Sequence, residues 1–454
     1  MAFTTINPAT GRRIRSHRHL GRSELESAVA GSAAASRRWR DLPPGRRSAA
    51  LRAVAAVLKR RLPQLARLAT REMGKPLAES RAEVEKCRLV CLYYARHGGA
   101  FLKDERPPGA GRGARVTFEP LGTILAIMPW NFPYWQAFRA AVPALMAGNT
   151  LLLKHAANVT GCAKAIEAVF AEAGLPRGVF RTLVIPTNWI GALLADPRVS
   201  AVTLTGSTAA GRIVAAQAGA AMKKGVFELG GSDPYLILAD ADIEKAAETC
   251  AASRLMNSGQ SCICAKRFIV VRSVLGAFED AFTARMVARM VGDPLDPESK
   301  VGPLAREDLR RKLHGQVRSS LRAGARLVVG GAPLPGPGFF YAPTVISDVR
   351  KGMPAYSEEL FGPVASIIPV RDEEEAVRVA NDSEFGLGAA VFTRSRRAAE
   401  RVSGRLQAGC VFSNDFVRSD PALPFGGVKL SGHGRELGSF GIREFVNVKT
   451  LWMR

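Results

Sequence analysis

The N-terminal part of the chain carries apolar side chains at the spacing of amphipathic helices. Within residues 23–102 they recur every three or four positions, most clearly at Leu51, Val54, Leu58, Leu62, Leu65 and Leu68. Because this period keeps side chains on one helical face, the region is predicted to be helical. Residues 107–115 then interrupt the pattern with glycine and proline, which predicts a hairpin or protruding arm, with a solvated loop as the alternative.

From residue 121 onward, short β-rich runs alternate with alanine-rich segments of helix length. The first series of runs comprises residues 123–127, 150–153, 180–185, 201–204 and 226–229. The second series includes residues 268–271, 327–329 and 390–392. Such alternation is typical of parallel βαβ units with a mostly buried sheet. The chain is therefore predicted to be an α/β protein with two α/β domains.

The longest uncharged run, residues 120–138, is long enough to raise the question of a membrane span. It contains Gly122, Pro129, Asn131 and Pro133, which would leave polar groups unsatisfied in lipid. We therefore interpret the run as buried structure and expect no membrane partner. The first twenty residues carry arginines but no apolar core, so a secretory signal is not expected either.

The charge balance is strongly basic, with 64 Lys and Arg residues against 40 Asp and Glu residues and a formal charge of +24. Such a charge makes nucleic acid, an anionic surface and an anionic ligand the partners to consider. The basic residues are spread along the chain without an aromatic-interleaved patch, so nucleic-acid binding stays a minor alternative. A hydrophobic share of 47% in 454 residues excludes a disordered chain.

Seven cysteines are scattered along the sequence without paired metal-type spacing. An odd, dispersed set favours reduced thiols in a cytoplasmic compartment. Cys87 and Cys91 lie one helical turn apart, but no His or Cys cluster completes a site, so no metal is predicted. Five of the seven lie in apolar patterns and are interpreted as small buried hydrophobic residues: Cys87, Cys91, Cys162, Cys250 and Cys410.

Cys262 stands apart because it follows a glycine-containing turn, in the segment Asn-Ser-Gly-Gln-Ser-Cys-Ile-Cys of residues 257–264. No bulky apolar residue precedes it in the turn, so a substrate can reach the thiol. A cysteine in such a place is a candidate nucleophile, whose reactivity depends on access to the thiolate.

Two glutamates are candidates for acid–base chemistry. Glu228 lies at the end of an apolar run, directly before Gly230 and Gly231, where open α/β sheets bind ligands. Burial there would raise its pKa toward that of a general base, although an N-capping or ion-paired glutamate is an equal alternative. Glu359, within residues 358–363, is the second candidate, and a solvated acidic turn is its alternative.

Two turns after predicted strands have the composition of binding loops. Residues 205–211, which include Gly206 and Ser207, open a helix whose free N–H groups suit a phosphate, although the full dinucleotide fingerprint is absent. In residues 129–133, Pro129 and Pro133 fix a short loop, so that the Asn131 amide is held rigidly as a hydrogen-bond donor. A rigid donor of this kind suits an oxyanion.

Together these residues resemble the aldehyde dehydrogenase superfamily, with the closest likeness to bacterial NAD(P)-dependent succinate-semialdehyde dehydrogenases. The matching segments run in order through nearly the whole chain: Ile6-Asn-Pro-Ala-Thr-Gly11, the Asn131 loop, Lys154, the Gly206 turn, Glu228-Leu-Gly-Gly231, Gly259-Gln-Ser-Cys262, Glu359-Leu-Phe-Gly-Pro363 and Pro424-Phe-Gly-Gly-Val-Lys429. The resemblance implies an aldehyde dehydrogenase-like α/β fold and the oxidation of an aldehyde to a carboxylic acid with NAD(P).

The resemblance also implies a division of the chain. Residues 1–101 and 121–230 would form a Rossmann-type cofactor domain, and residues 231–425 the α/β catalytic domain. Residues 102–120 and 426–454 would form a small β oligomerisation arm and the C-terminal tail. In the family the arm and the tail pair between subunits, so a homodimer or homotetramer is expected.

In the mechanism that the family implies, the Cys262 thiolate attacks the aldehyde carbon. The Asn131 side chain and the Cys262 backbone N–H hold the oxyanion of the thiohemiacetal, whose collapse transfers hydride to the nicotinamide. Glu228 then activates the water that hydrolyses the thioester.

Seven positions match cofactor contacts of the family: Trp130, Lys154, Gly206, Ser207, Leu229, Glu359 and Phe361. Lys154 matches the residue at the adenosine ribose. NAD-preferring members often carry a glutamate three positions later, where this chain has Ala157. Without that charge the site admits a 2′-phosphate, so NADP or NAD is expected as cofactor, with NADP favoured.

Arg139 and Ser419 match substrate contacts of succinate-semialdehyde dehydrogenases, where the arginine binds the distal carboxylate. A solvated helix arginine is the alternative for Arg139. A second arginine of some relatives is Met256 here, with Arg254 as a possible substitute, so a broader aldehyde range stays open.

Cys264, two residues after Cys262, matches a Cys-x-Cys spelling of some relatives and suggests a labile disulfide that switches the enzyme off, with a bystander thiol as the alternative. A CoA-acylating semialdehyde dehydrogenase is the remaining enzymatic alternative. Those relatives usually lack the general base, so Glu228 favours hydrolysis.

Overall fold

Two mostly parallel β-sheets covered by helices organise residues 2–453, the part of the chain that the computed structural model describes. The strands within this range are β1 (Ala2–Ile6), β2 (Arg13–Arg18), β3 (Ala114–Pro120), β4 (Thr123–Met128), β5 (Thr150–His155), β6 (Phe180–Thr182), β7 (Val199–Thr205), β8 (Lys224–Glu228), β9 (Asp233–Ile237), β10 (Ala265–Val271), β11 (Arg326–Val329), β12 (Thr344–Ser347), β13 (Val364–Val370), β14 (Phe385–Gly386), β15 (Gly388–Phe392), β16 (Cys410–Ser413), β17 (Val428–Lys429), β18 (Gly432–His433) and β19 (Val446–Trp452).

The helices of the same range are α1 (Arg22–Arg40), α2 (Pro44–Met73), α3 (Leu77–Phe101), α4 (Trp135–Ala147), α5 (Thr160–Glu172), α6 (Ile190–Ala195), α7 (Thr208–Ala220), α8 (Ile243–Leu255), α9 (Leu275–Val287), α10 (Glu307–Arg322), α11 (Pro354–Ser357), α12 (Glu373–Asn381), α13 (Arg396–Ser403) and α14 (Gly438–Arg443). The predicted helical region of residues 23–102 is confirmed as α1 to α3. In α2, Leu51, Val54, Leu58 and Leu65 are buried on one face, as the period requires.

The first sheet has the strand order β18-β8-β7-β4-β5-β6, and the second has the order β11-β12-β13-β10-β9-β15-β16. Each is parallel except at one edge, where β18 and β11 run antiparallel to their neighbours. Each predicted β-rich run overlaps a strand of these sheets, although β6 ends at Thr182 and leaves residues 183–185 outside it. The α/β fold class is confirmed. One addition comes from the C-terminal region, because β18 lies beyond residue 425 and joins the first sheet.

The uncharged residues 120–138 form the end of β3, the whole of β4, the following loop and the start of α4. β4 lies inside the first sheet, between β7 and β5, and is paired on both sides. This interior position explains its continuous apolar character. Among residues 2–453, no helix combines the length and the apolarity that crossing a bilayer would require.

The arm and the tail pair with each other within the chain. β19 pairs antiparallel with β3, from Val446 opposite Pro120 to Trp452 opposite Ala114, and pairing between subunits stays a prediction. Arg443, at the end of α14, donates a hydrogen bond of 2.9 Å to the carbonyl of Phe101, at the end of α3. The tail therefore begins beside the arm of its own chain and folds back along it.

Candidate active site

Three strands of the first sheet end beside one another and position the predicted catalytic loops. β4, β7 and β8 are neighbours and run parallel, so their carboxyl ends lie at one edge of the sheet. β4 leads into the loop with Asn131, β7 into the turn at Gly206, and β8 ends at Glu228. The Gly206 N–H donates to the Glu228 carbonyl at 3.0 Å, which joins two of these strand ends directly.

A cavity of about 500 Å³ opens at this edge, and it is called the Cys262 cavity below. The Cys262 and Asn131 side chains line it together with six of the seven predicted cofactor positions. These are Trp130, Gly206, Ser207, Leu229, Glu359 and Phe361. The structure thus places residues from distant parts of the sequence around one cavity. Lys154 and Glu228 are not among the lining residues of this cavity.

The residues present fit a dinucleotide cofactor. The N-terminus of α7 faces the Cys262 cavity, and the Ser207 hydroxyl caps it by accepting a hydrogen bond from the Ala210 N–H at 3.3 Å. Such an end offers free N–H groups to a pyrophosphate. Lys154 lies at the end of β5, where its ammonium contacts the Thr187 hydroxyl at 3.4 Å, and Ala157 places no carboxylate nearby to repel a 2′-phosphate.

Aromatic and acidic side chains shape the other end of the cavity. The Trp130 and Phe361 rings meet edge to face, with centroids 5.7 Å apart. The Glu359 carboxylate accepts a hydrogen bond from the Gly231 N–H at 3.1 Å, and its nearest oxygen is 3.6 Å from the Lys266 ammonium. Glu359 is therefore held in place by the protein, rather than lying in a solvated acidic turn.

Cys262 is half-buried and lines the cavity. Burial raises the pKa of this thiol to about 12, while the positive charges of Arg139 and Lys266 act to lower it. The Lys266 ammonium donates to the backbone carbonyls of Ser261 at 2.9 Å and Cys262 at 2.7 Å. Lys266 thus fixes the backbone beneath the thiol and brings a positive charge close to it, which favours the thiolate.

The Asn131 amide belongs to a network that the sequence did not reveal. Its Nδ2 donates to the Gln260 carbonyl at 3.1 Å, two residues before Cys262. Asn257 Nδ2 donates to the Asn131 carbonyl at 2.8 Å, and the Asn257 backbone adopts a left-handed conformation with φ 55°. The half-buried Glu79 carboxylate accepts from the Asn257 N–H at 2.8 Å and holds this turn. The amide and the thiol are therefore fixed with respect to each other.

Glu228 is almost completely buried, and neither carboxylate oxygen has a hydrogen-bond partner among residues 2–453. Burial raises its pKa well above the usual value, and the neighbouring Glu436 carboxylate adds to the effect, while Arg139 and Arg435 oppose it. The carboxylate lies under Gly426, where an added Cβ would come within 2.6 Å of Oε1. A buried, unpaired carboxyl with a raised pKa has the properties of a general base.

Arg139 is not a solvated helix arginine, because only 2% of it is exposed. Its guanidinium forms an ion pair with Glu436, lies 3.3 Å from the Thr205 hydroxyl and stacks over the Phe425 ring. Sequence reasoning missed Glu436, whose only signal is a charge inside a glycine-rich segment. The role of Arg139 toward substrate stays a prediction, and its charge already has a partner in the protein.

The other residues predicted near the substrate have different surroundings. Arg254 is fully buried and donates to the carbonyls of Ala265 and Gly259, so it is committed to the backbone around Cys262 and does not line the cavity. The Ser419 hydroxyl accepts a hydrogen bond from Lys86. Cys264 is fully buried, with its Sγ 3.4 Å from the Met256 carbonyl, and its redox role stays a prediction.

The Arg139–Glu436 pair leads to a prediction about stability. In Glu436→Gln the buried guanidinium loses its counter-charge, so we expect the free energy of unfolding to fall by about 3 kcal/mol. Urea denaturation measures this change. The control is Glu444→Gln, which removes the partly exposed ion pair with Lys224 and should cost less than about 1 kcal/mol. Equal losses in the two variants would contradict the prediction.

Comparison with known protein families agrees with this geometry. Residues 1–451 match the model of the aldehyde dehydrogenase family. The chain belongs to this family, which confirms the class of enzyme that the sequence predicted.

Individual proteins that are similar to this chain have a more specific name than the family. The chain is 48% identical over 448 residues to succinate semialdehyde dehydrogenase [NAD(P)+] Sad of Escherichia coli, covering 99% of this chain and 97% of the relative. It is 47% identical over 456 residues to succinate-semialdehyde dehydrogenase [NADP(+)] 1 of Mycobacterium tuberculosis, covering 100% of both. Among solved structures, succinic semialdehyde dehydrogenase of Streptococcus pyogenes in complex with NADP+ superposes with a TM-score of 0.97 at 36% identity, covering 100% of both chains.

Proposed function

We propose that this enzyme oxidises succinate semialdehyde to succinate, with NADP as the favoured cofactor and NAD as the second. The observation that carries the proposal is the Cys262 cavity, where a reachable thiol, an amide donor and a dinucleotide-sized cleft share one wall. The names of the relatives support the substrate, since the E. coli and mycobacterial proteins are both succinate-semialdehyde dehydrogenases. Ala157 and Lys154 support NADP, because a 2′-phosphate meets a cation and no carboxylate.

Each catalytic residue has a defined task in this proposal. The Cys262 thiolate adds to the aldehyde carbon and forms a thiohemiacetal, whose oxyanion accepts hydrogen bonds from Asn131 Nδ2 and the Cys262 N–H. One such donor contributes about 3 kcal/mol to transition-state stabilisation. Loss of hydride from the thiohemiacetal carbon gives the thioester, and NADP, when bound, would supply the acceptor for that hydride. Glu228 then takes a proton from the water that attacks the thioester, which releases succinate and restores the thiol.

The predicted cofactor-binding residues are distributed along the cleft, each near a different part of the cofactor. Gly206 and Ser207, at the start of α7, would hold the pyrophosphate, and Lys154 the adenosine ribose with its 2′-phosphate. Glu359 and Phe361 would hold the nicotinamide ribose, with Trp130 and Leu229 completing the walls.

A substrate panel tests the proposal. We expect kcat/KM with NADP to be at least about tenfold higher for succinate semialdehyde than for butanal, which has the same chain length without the carboxylate. We also expect a higher kcat/KM with NADP than with NAD. NADPH formation at 340 nm measures both, and assays with and without CoA identify the acyl acceptor.

Three results would overturn parts of the proposal. Equal efficiency with butanal would replace it by a broader aldehyde range, and equal or better efficiency with NAD would reverse the cofactor preference. A requirement for CoA, with acyl-CoA as the product, would make the enzyme CoA-acylating. Salt-sensitive binding of nucleic acid at physiological ionic strength would favour the minor alternative.

The organisation of the chain is proposed along the predicted boundaries. Strands β4 to β8 of the first sheet lie within residues 121–230, and all seven strands of the second sheet lie within residues 231–425, which supports a cofactor domain and a catalytic domain. Exposed apolar side chains on α14 and β19, namely Phe440, Val448 and Trp452, support a homodimer or homotetramer. Light scattering measures the oligomeric state. The free cysteines support a reducing, cytoplasmic location.

A further inference from the structure

Lys86 has an ammonium group without a carboxylate partner among residues 2–453. It lies on α3 and is half-buried. Its Nζ donates to the Ser419 hydroxyl at 2.8 Å and lies 4.4 Å from the centre of the Trp135 ring. A hydroxyl and an aromatic face orient a cation without forming an ion pair with it. Such a charge is suited to binding an anion.

A chain of contacts connects this ammonium to the catalytic residues. Trp135 and Arg139 are one turn apart on α4, and α4 begins shortly after Asn131. Arg139 stacks over Phe425, which belongs to the same connecting segment as Ser419 and Gly426. Gly426 in turn packs against the Glu228 carboxylate. These contacts connect Lys86 to the general base through α4 and residues 419–426.

Electrostatics agree with this chain of contacts. The positive charge of Arg139 acts on both groups, because it opposes the rise in the pKa of the Cys262 thiol and contributes to the lowered pKa of Lys86. Arg139 itself is paired with the buried Glu436 carboxylate. The arginine that the sequence assigned to the substrate carboxylate is therefore already neutralised, whereas Lys86 is not.

We propose that Lys86, oriented by Ser419 and Trp135, binds the distal carboxylate of the semialdehyde and thereby sets the preference for an acidic aldehyde. This inference rests on the proposed function and adds a specificity-determining residue to it. The lysine supplies the charge, and the Ser419 hydroxyl is free to donate to a carboxylate while it accepts from Lys86.

Lys86→Met tests the proposal by comparing two aldehydes in the same enzyme. We expect KM for succinate semialdehyde with NADP to rise at least about tenfold, since a charge-assisted hydrogen bond is lost. KM for butanal should stay within about twofold of the wild-type value or fall, because butanal has no carboxylate for Lys86 to bind. Lys86→Arg should keep most of the preference. Arg96→Met, an exposed position on the same helix, is the control and should change neither value.

The pH dependence of the wild type gives a second measurement that needs no variant. Burial lowers the pKa of Lys86 to about 8, helped by Arg139 on α4 and opposed by Cys87 and Glu83 on α3 and by Asp420 beside Ser419. The ammonium is charged below that pKa. KM for succinate semialdehyde, divided by KM for butanal, should therefore rise as pH increases through about 8 in the wild type, and stay flat in Lys86→Arg.

The outcomes separate this inference from the proposed function. If wild type does not prefer succinate semialdehyde over butanal, the proposed substrate is wrong. Lys86 then has no substrate carboxylate to bind, and the inference is wrong as well. If wild type shows the preference but Lys86→Met keeps it, the substrate stands and Lys86 is not its carboxylate site. If Lys86→Met fails to fold, the pH dependence in wild type and Lys86→Arg decides: a flat ratio in wild type overturns the inference.

Discussion

Replacing Cys262 with alanine will lower aldehyde oxidation by about 10⁴-fold or more, because the covalent route loses its nucleophile. NADP binding should stay unchanged, since the pyrophosphate and ribose positions do not involve this side chain. The loss of turnover is measured as NADPH formation at 340 nm. Cofactor binding is measured as quenching of tryptophan fluorescence, because Trp130 lines the same cavity.

Cys410→Ala is the matched control. Cys410 is also a half-buried free thiol, but it is not among the residues that line the Cys262 cavity, and its Sγ contacts the Leu387 carbonyl. We expect this variant to keep turnover within about twofold of wild type. Iodoacetamide should inactivate wild type and Cys410→Ala alike, and faster as pH rises, because the Cys262 pKa is raised. Substantial turnover in Cys262→Ala would refute the covalent mechanism.

The parts of the fold that depend on local pattern were predictable from the sequence. The buried strands of parallel sheets are short apolar runs between helical segments, so β4, β5 and β7 are visible as patterns. The loops that follow such strands carry function, which is why Asn131 and Gly206 are recognisable from the sequence. The order of these motifs along the chain then identified the family.

The parts that depend on contacts between distant residues were not predictable. Arg139 and Glu436 carry opposite charges at positions far apart, and nothing in either neighbourhood indicates that they meet in the core. Lys86 and Ser419 are also far apart in the sequence, and neither neighbourhood indicates that they are in contact. The pairing of β19 with β3 of its own chain depends on where α14 ends relative to α3, and only tertiary structure fixes that relation.

Glu228 is the position where burial and charge matter most for the second half of the reaction. Its carboxyl has no hydrogen-bond partner among residues 2–453, and its pKa is raised, so in the resting protein it holds its proton to a higher pH than an ordinary glutamate. Only the ionised form accepts a proton from water. The rate of thioester hydrolysis should therefore rise with pH through this raised pKa, while Arg139 and Arg435 limit how far the pKa rises.

Glu228→Gln removes the base but keeps the shape of the side chain. We expect a burst of about one NADPH per active site, because attack by Cys262 and hydride transfer still occur, followed by steady turnover about 10³-fold below wild type. Stopped-flow absorbance at 340 nm resolves the two phases. The slow phase should lose the rise with pH that wild type shows, and hydroxylamine should accelerate it by releasing the thioester as a hydroxamate. Loss of the burst itself would mean that Glu228 acts before the thioester forms, by activating the Cys262 thiol.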